Sequence, residues 1–119
     1  MVEIFFLLIV FQFKHLIADY YLQFSYMYMN KGQDKGWIMP LVHHAGIHGI
    51  FTFFIVIWFV SWPLAIGLML FDFVTHFVTD RWKAFKRQSP DMAEFWTNLG
   101  IDQMVHHLVG ILIVMAVVL

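Results

Sequence analysis

Ionisable residues recur at four-residue spacing inside long apolar stretches: His15/Asp19, His44/His48, Asp72/His76/Asp80 and Asp102/His106. Residues i and i+4 lie on one helix face, about 6 Å apart along the axis. Each set therefore presents a stripe of imidazole and carboxylate. These are ligands that Zn, Fe and Mn accept, and inward carboxylate/His pairs in a four-helix bundle are a known way of holding two metals. The four carboxylates Asp19, Asp72, Asp80 and Asp102 carry a charge that two divalent cations would balance. The pattern points to one or two divalent ions held by His15, Asp19, His44, His48, His76, Asp80, Asp102 and His106. Gln23, one turn beyond Asp19, and Gln103, beside Asp102, are candidates to orient ligands or substrate. Asp72 lies deepest and is read as an orienter of His76 rather than a ligand. His43 and His107 sit one residue off the stripes and rank below the others.

Other chemistries fit less well. His44-Ala45-Gly46-Ile47-His48 lacks the glutamate of the zinc-protease helix motif. The histidine boxes of membrane desaturases need more histidines than this chain has. No Ser or Thr sits beside an obvious base, and cysteine is absent, which excludes thiolate metal sites and disulfides. Two rivals remain: His/Asp chains also serve as proton or ion relays, and buried polar groups also act as glue between helices.

The elements that position these residues follow from composition. The 119 residues are 61% hydrophobic and 13% charged, against about half apolar and a quarter charged in a soluble domain, so an integral membrane protein is expected. A membrane helix needs about 20 mostly apolar residues. Four such runs are present, at about 2–29, 38–60, 63–85 and 99–119. The expected fold is all-α: a single polytopic four-transmembrane-helix domain spanning 1–119. A short interfacial helix over 91–98 is expected between helices three and four. Residues 1–13 lack a basic leader and a small-residue cleavage site, so they read as a retained first helix. The basic residues form no long run suited to nucleic acid.

Orientation comes from the loops. Lys31, Lys35, Arg81, Lys83, Lys86 and Arg87 fall on the face where helix one ends, which the positive-inside rule makes cytoplasmic, with both termini outside. Lys14 departs from this pattern; it either snorkels towards that face or pairs with a carboxylate inside the bundle. On alternating helices, all four polar sets fall in the cytoplasmic half.

With these residues in view, the chain resembles a family of small bacterial and phage integral membrane proteins catalogued as domain of unknown function 3307. The resemblance rests on His15-Leu16-Ile17-Ala18-Asp19 with Gln23, Asn30-Lys31, the His44/His48 pair, His76-Phe77-Val78-Thr79-Asp80 with Lys83, and Asp102-Gln103 with His106. It covers almost the whole chain and supports these residues as a site, Asn30 now among them. It implies no particular reaction. His43, His107 and Asp72 stand outside the motif.

The function expected is a membrane-embedded metal-dependent enzyme: a hydrolase of a lipid or lipid-linked phosphoester or ester at the cytoplasmic leaflet of a bacterial inner membrane or its equivalent. Asp19, His48, Asp80 and Asp102 are the candidates for general acid and base. Lys31, Lys83, Arg81 and Lys86, on the same rim, are placed to hold an anionic head group. The alternatives are a proton or metal-ion relay or transport element, which calls for a homo-oligomer, and a non-catalytic membrane partner whose polar residues fix helix registry.

Overall fold

Uninterrupted apolar runs set three long helices, and prolines mark where they begin. In the computed structural model, which describes residues 1–119, α3 spans Ile38–Val56, α4 spans Trp62–Phe85 and α5 spans Ala93–Val118. Here α1 is Val2–Leu16 and α2 is Ser25–Asn30, joined through a single π-helical turn at Ile17–Tyr21. Pro40 and Pro63 fall in the first turns of α3 and α4, where backbone amides have no helical acceptor to lose. No strand forms, as the continuous apolar runs imply.

Three expectations about the elements change. The first helix is not continuous over 2–29. The α-helical ladder stops at Leu16, one π turn follows with Leu22 N–H donating to Ile17 O at 2.9 Å, and Phe24 is extended. Gln23 Nε2 donates to Asp19 O at 2.8 Å, supplying a side-chain donor where the ladder ends. Three helices rather than four are therefore individually long and apolar enough to cross a membrane: α3, α4 and α5. No separate helix covers 91–98 either. The Ser89-Pro90 break precedes that segment and nothing breaks the chain after it, since one glycine (Gly100) is tolerated inside a helix; α5 runs through without interruption. Finally, α3 ends at Val56, and 57–60 form turns rather than a last helical turn.

The packing is inverted relative to a water-soluble domain. Only 23 of the 119 residues are buried, and nine of these are polar or charged. Large apolar side chains such as Phe54 (61%) and Trp58 (84%) stand exposed, an exterior that suits hydrocarbon rather than water. The molecule is 42 Å long, comparable to a bilayer with its head groups. Its apolar core is built from Leu7 and Phe11 of α1, Val56 of α3, Ala65 and Leu68 of α4, and Val109, Ile113 and Val114 of α5. Helices α3 and α4 approach closely at Gly49, where an added Cβ would lie 3.2 Å from Met69 O.

The 31–37 loop is strapped to the end of α4. Arg81 donates to Lys31 O at 3.0 Å and to Gln33 O at 3.1 Å, and its guanidinium lies 4.0 Å from the centre of the Trp37 ring. Arg87 Nε donates to Gly32 O at 2.8 Å while its other end pairs with Asp34. Gly32 permits this contact, because a Cβ there would fall 2.6 Å from Ala84 O. Backbone cannot yield as a flexible side chain can. Gly32→Ala is therefore expected to lift the loop from α4. Limited proteolysis in detergent should show faster cleavage within 31–37 at unchanged helical circular dichroism.

Candidate metal centre

One face of α3 carries His44, His48 and Thr52; one face of α4 carries Asp72, His76 and Asp80; and α5 contributes Asp102 and His106. All eight are buried. From the first segment come Lys14 and His15 on α1 and Asp19 in the π turn. A π turn holds an extra residue and is a frequent device at functional sites. Here it leaves Asp19 among three histidines: Oδ1 is 2.8 Å from His48 Nε2 and 3.4 Å from His44 Nε2, and Oδ2 is 3.2 Å from His15 Nε2.

The contacts run on without a gap. His44 Nε2 lies 2.9 Å from Asp80 Oδ2, so this imidazole links the first segment to α4. Asp80 Oδ1 lies 2.9 Å from His106 Nε2, which is 3.2 Å from Asp102 Oδ1. The His76 ring stacks between those of His48 and His106, at 3.8 and 4.0 Å between centres. All eight residues singled out as ligands thus join one cluster.

Three groups within it bring donor atoms to within 4.8 Å of one another: His15/His48/His76, Asp19/His44/His48 and Asp80/Asp102/His106. Ligands bound to one ion at about 2.0–2.2 Å sit no more than about 4.4 Å apart, so small side-chain shifts would bring each group to coordinating distance. His48 belongs to two groups, and His44 lies between Asp19 and Asp80.

The polar atoms themselves are incompletely satisfied. His44 Nδ1, His48 Nδ1, Asp72 Oδ1, His76 Nε2, His106 Nδ1, Asp80 Oδ2 and Asp102 Oδ1 are buried without an aligned hydrogen bond. Asp80 Oδ2 and Asp102 Oδ1 lie close to imidazole nitrogens at angles unsuited to donation. Native interiors pair almost all such atoms, and an exception calls for an ion, a water or a catalytic role. Imidazole nitrogens and carboxylate oxygens are donors of the type that divalent cations accept.

Beneath the cluster lies a buried ion pair. Lys14 Nζ donates to Asp72 Oδ2 at 2.6 Å, and the Thr52 hydroxyl donates to the same oxygen. Asp72 Oδ1 is 2.6 Å from His76 Nδ1, which also lies 3.1 Å from Asp72 O. Carboxylate and carbonyl together hold the His76 ring so that Nε2 points away from Asp72. Of the two fates open to Lys14, pairing inside the bundle is the one observed. Thr52 was missed by sequence reasoning, although the four-residue ladder that marks His44 and His48 continues to it.

The remaining candidates divide. Gln103 bridges His15 Nε2 (2.7 Å) and Asp102 Oδ2 (3.0 Å). Gln23 Oε1 accepts from Lys31 Nζ at 2.6 Å. Lys31 and Lys83 both line the cavity above Asp80. Asn30 does not: its amide donates to Tyr26 O at 2.7 Å, and it lies outside that cavity wall. Arg81 is committed to the 31–37 loop, and Lys86 lies over the Trp82 ring. His43 is exposed and pairs with the Tyr26 hydroxyl. His107, half-buried, packs its ring 4.8 Å from that of His15.

The profile of the family described as Protein of unknown function (DUF3307) matches residues 4–119. The chain belongs to this family. The motifs that carried the resemblance are the stretches that supply Asp19, His44, His48, Asp80, Asp102 and His106 to the cluster. No curated protein and no solved structure is significantly similar to the chain.

Removing one partner of a buried ion pair leaves the other charge uncompensated, typically at about 3–5 kcal/mol. Lys14→Met is therefore expected to destabilise the protein by about that amount, and Lys14→Met/Asp72→Leu to recover much of it. Unfolding midpoints of the three proteins in one detergent measure both effects.

Proposed function

We propose that this protein is a membrane-embedded, metal-dependent hydrolase acting on a lipid or lipid-linked phosphoester or ester at the cytoplasmic leaflet. The observation that carries the reading is the three groups of imidazole and carboxylate donors, drawn from four segments, whose ligand atoms lie within 4.8 Å of one another, together with buried nitrogens and oxygens of these residues on α3, α4 and α5 that lack an aligned hydrogen bond. Such groups inside an apolar bundle are costly unless an ion or one another satisfies them.

In this reading the chain crosses the membrane four times. The 15 residues of α1 and the five of the π turn supply the first crossing, about 30 Å at the helical rise of 1.5 Å per residue. The loop carrying Lys31 and Lys35 and the end of α4 carrying Arg81, Lys83, Lys86 and Arg87 then face the cytoplasm, and both termini face outwards.

Zn, Fe or Mn suits a donor set of imidazole and carboxylate. One or two ions would be held by His15, Asp19, His44, His48, His76, Asp80, Asp102 and His106. A bound ion supplies two functions: it acidifies a coordinated water and polarises the ester's phosphoryl or carbonyl oxygen. The chain's own groups do the rest. Asp72 holds His76 through Nδ1, and Gln103 positions His15 against Asp102. A carboxylate not fully engaged by metal, among Asp19, Asp80 and Asp102, or the imidazole of His48, takes a proton from the attacking water and returns it to the departing oxygen. One bond forms from water oxygen to phosphorus or acyl carbon, and the ester bond breaks.

Elemental analysis after gentle, chelator-free purification is expected to find stoichiometric Zn, Fe or Mn. Asp80→Ala and His48→Ala should each lose most of it, and occupancy should fall as pH drops, since imidazoles must be deprotonated to ligate. Metal-dependent release of the head group or phosphate from a lipid ester would then separate hydrolysis from metal carriage. Absence of metal, or full occupancy in both variants, would favour the relay or scaffold reading instead.

A further inference from the structure

Beside the His/Asp cluster lies a cavity of about 170 Å³ whose lining carries both signs of charge. Asp19, His44, Asp80 and Asp102 line it together with Lys31 and Lys83. Lys31 is largely buried; its ammonium donates to Gln23 Oε1 and stands 3.8 Å from Asp80 Oδ2. Arg81 grips the Lys31 carbonyl, so the loop delivers this cation to a set position. Lys83 has no carboxylate within pairing distance; its ammonium sits 4.7 Å from the centre of the Phe95 ring. A second, more open space of about 520 Å³ adjoins this cavity and shares Gln23, Lys31, Lys83 and Ala84 with it. Its outer wall includes Tyr28, Met29 and Phe95, of which Tyr28 and Met29 are well exposed.

From the cluster outwards, the lining therefore passes from metal-type ligands, through two ammonium groups, to a mixed wall where Tyr28, Met29 and Phe95 stand with Gln33, Arg87 and Gln88. A carboxylic ester is neutral and offers Lys31 and Lys83 a carbonyl oxygen but no negative charge to pair with. A phosphate ester carries negative charge on oxygens beside the reacting phosphorus, and lysine serves as a point-charge binder for it. We propose that Lys31 and Lys83 form a phosphate seat, which makes the substrate class a phosphoester, its phosphorus turned towards the His/Asp cluster and its organic part along Tyr28, Met29 and Phe95. This rests on the metal reading above: without bound cations, Asp19, Asp80 and Asp102 would repel the anion, so phosphate binding must depend on metal. The basic residues expected at the rim thereby separate by role. Lys31 and Lys83 bind, Arg81 holds the loop, and Lys86 takes no part.

The test uses the full chain in phosphatidylcholine nanodiscs, with and without zinc. One arm titrates inorganic phosphate; the other incorporates phosphatidic acid as a minor lipid. Both are read by the shift in unfolding midpoint and by phosphorus NMR. The expected result is binding that requires zinc. Lys31→Gln and Lys83→Gln should each weaken it about tenfold at unchanged zinc content, while Lys86→Gln leaves it intact. Binding of phosphatidic acid alone identifies a lipid source; binding of inorganic phosphate alone identifies a water-soluble one. Either supports the seat. Zinc bound stoichiometrically with neither phosphate binding overturns the seat and leaves the metal site standing. Failure to bind zinc, iron or manganese, each supplied in turn, overturns both. Wild-type affinity in the two lysine variants assigns the phosphate elsewhere and overturns the seat.

Discussion

Charge buried in a low-dielectric interior must find a partner, and that constraint organises this protein. Its exterior is so apolar that most of the His and Asp side chains on the long helices lie in the interior. Once inside, each must be matched. Lys14, Thr52 and His76 match Asp72; Gln103 ties His15 to Asp102; His44 stands between Asp19 and Asp80. A change at one position is felt by the next because the contacts form a continuous chain. The unmatched atoms are concentrated in this chain.

The same constraint divides the bundle. One set of positions along α1, α3, α4 and α5 packs Leu, Phe, Val, Ile and Ala into a dry core. Another set on the same four helices supplies the imidazoles and carboxylates. The Lys14–Asp72 pair, which also involves Thr52, links α1, α3 and α4. It neutralises the deepest carboxylate and orients His76 at once. Buried ion pairs seldom add net stability over apolar packing, so its retention here is best understood through what it positions.

The π turn lies in the segment that must reach the cluster from outside the three long helices. The π turn and the break after it let the chain leave α1, present Asp19 to three histidines, and return through α2 to the loop that carries Lys31. Arg81 and Arg87 then clamp that loop to α4 with donors to carbonyls, which have no other helix or strand to pair with. Residues that sequence reading groups together simply as basic thus differ in function because their partners differ. Arg81 faces peptide oxygens and a Trp ring, whereas Lys31 faces Gln23 and Asp80.

Long apolar runs were enough to establish the all-helical class and three of the four spans expected, and i, i+4 spacing singled out the eight residues that cluster, because it translates directly into a shared helix face. Their convergence at one end was likewise readable from alternating helix direction. What lay beyond local spacing depended on contacts distant in the chain. The break near Gln23 is tolerated because a side chain caps Asp19 O; the 93–98 stretch joins α5 because no interruption separates them. Asn30, carried by the family motif, turns instead to Tyr26 O. Lys14 and Thr52 became partners of Asp72 only when α1 and α3 were laid beside α4. Residue order determined which faces are polar. Tertiary packing decided which polar atoms meet, since a hydrogen bond or an ion site depends on tenths of an ångström between segments that sequence spacing does not specify.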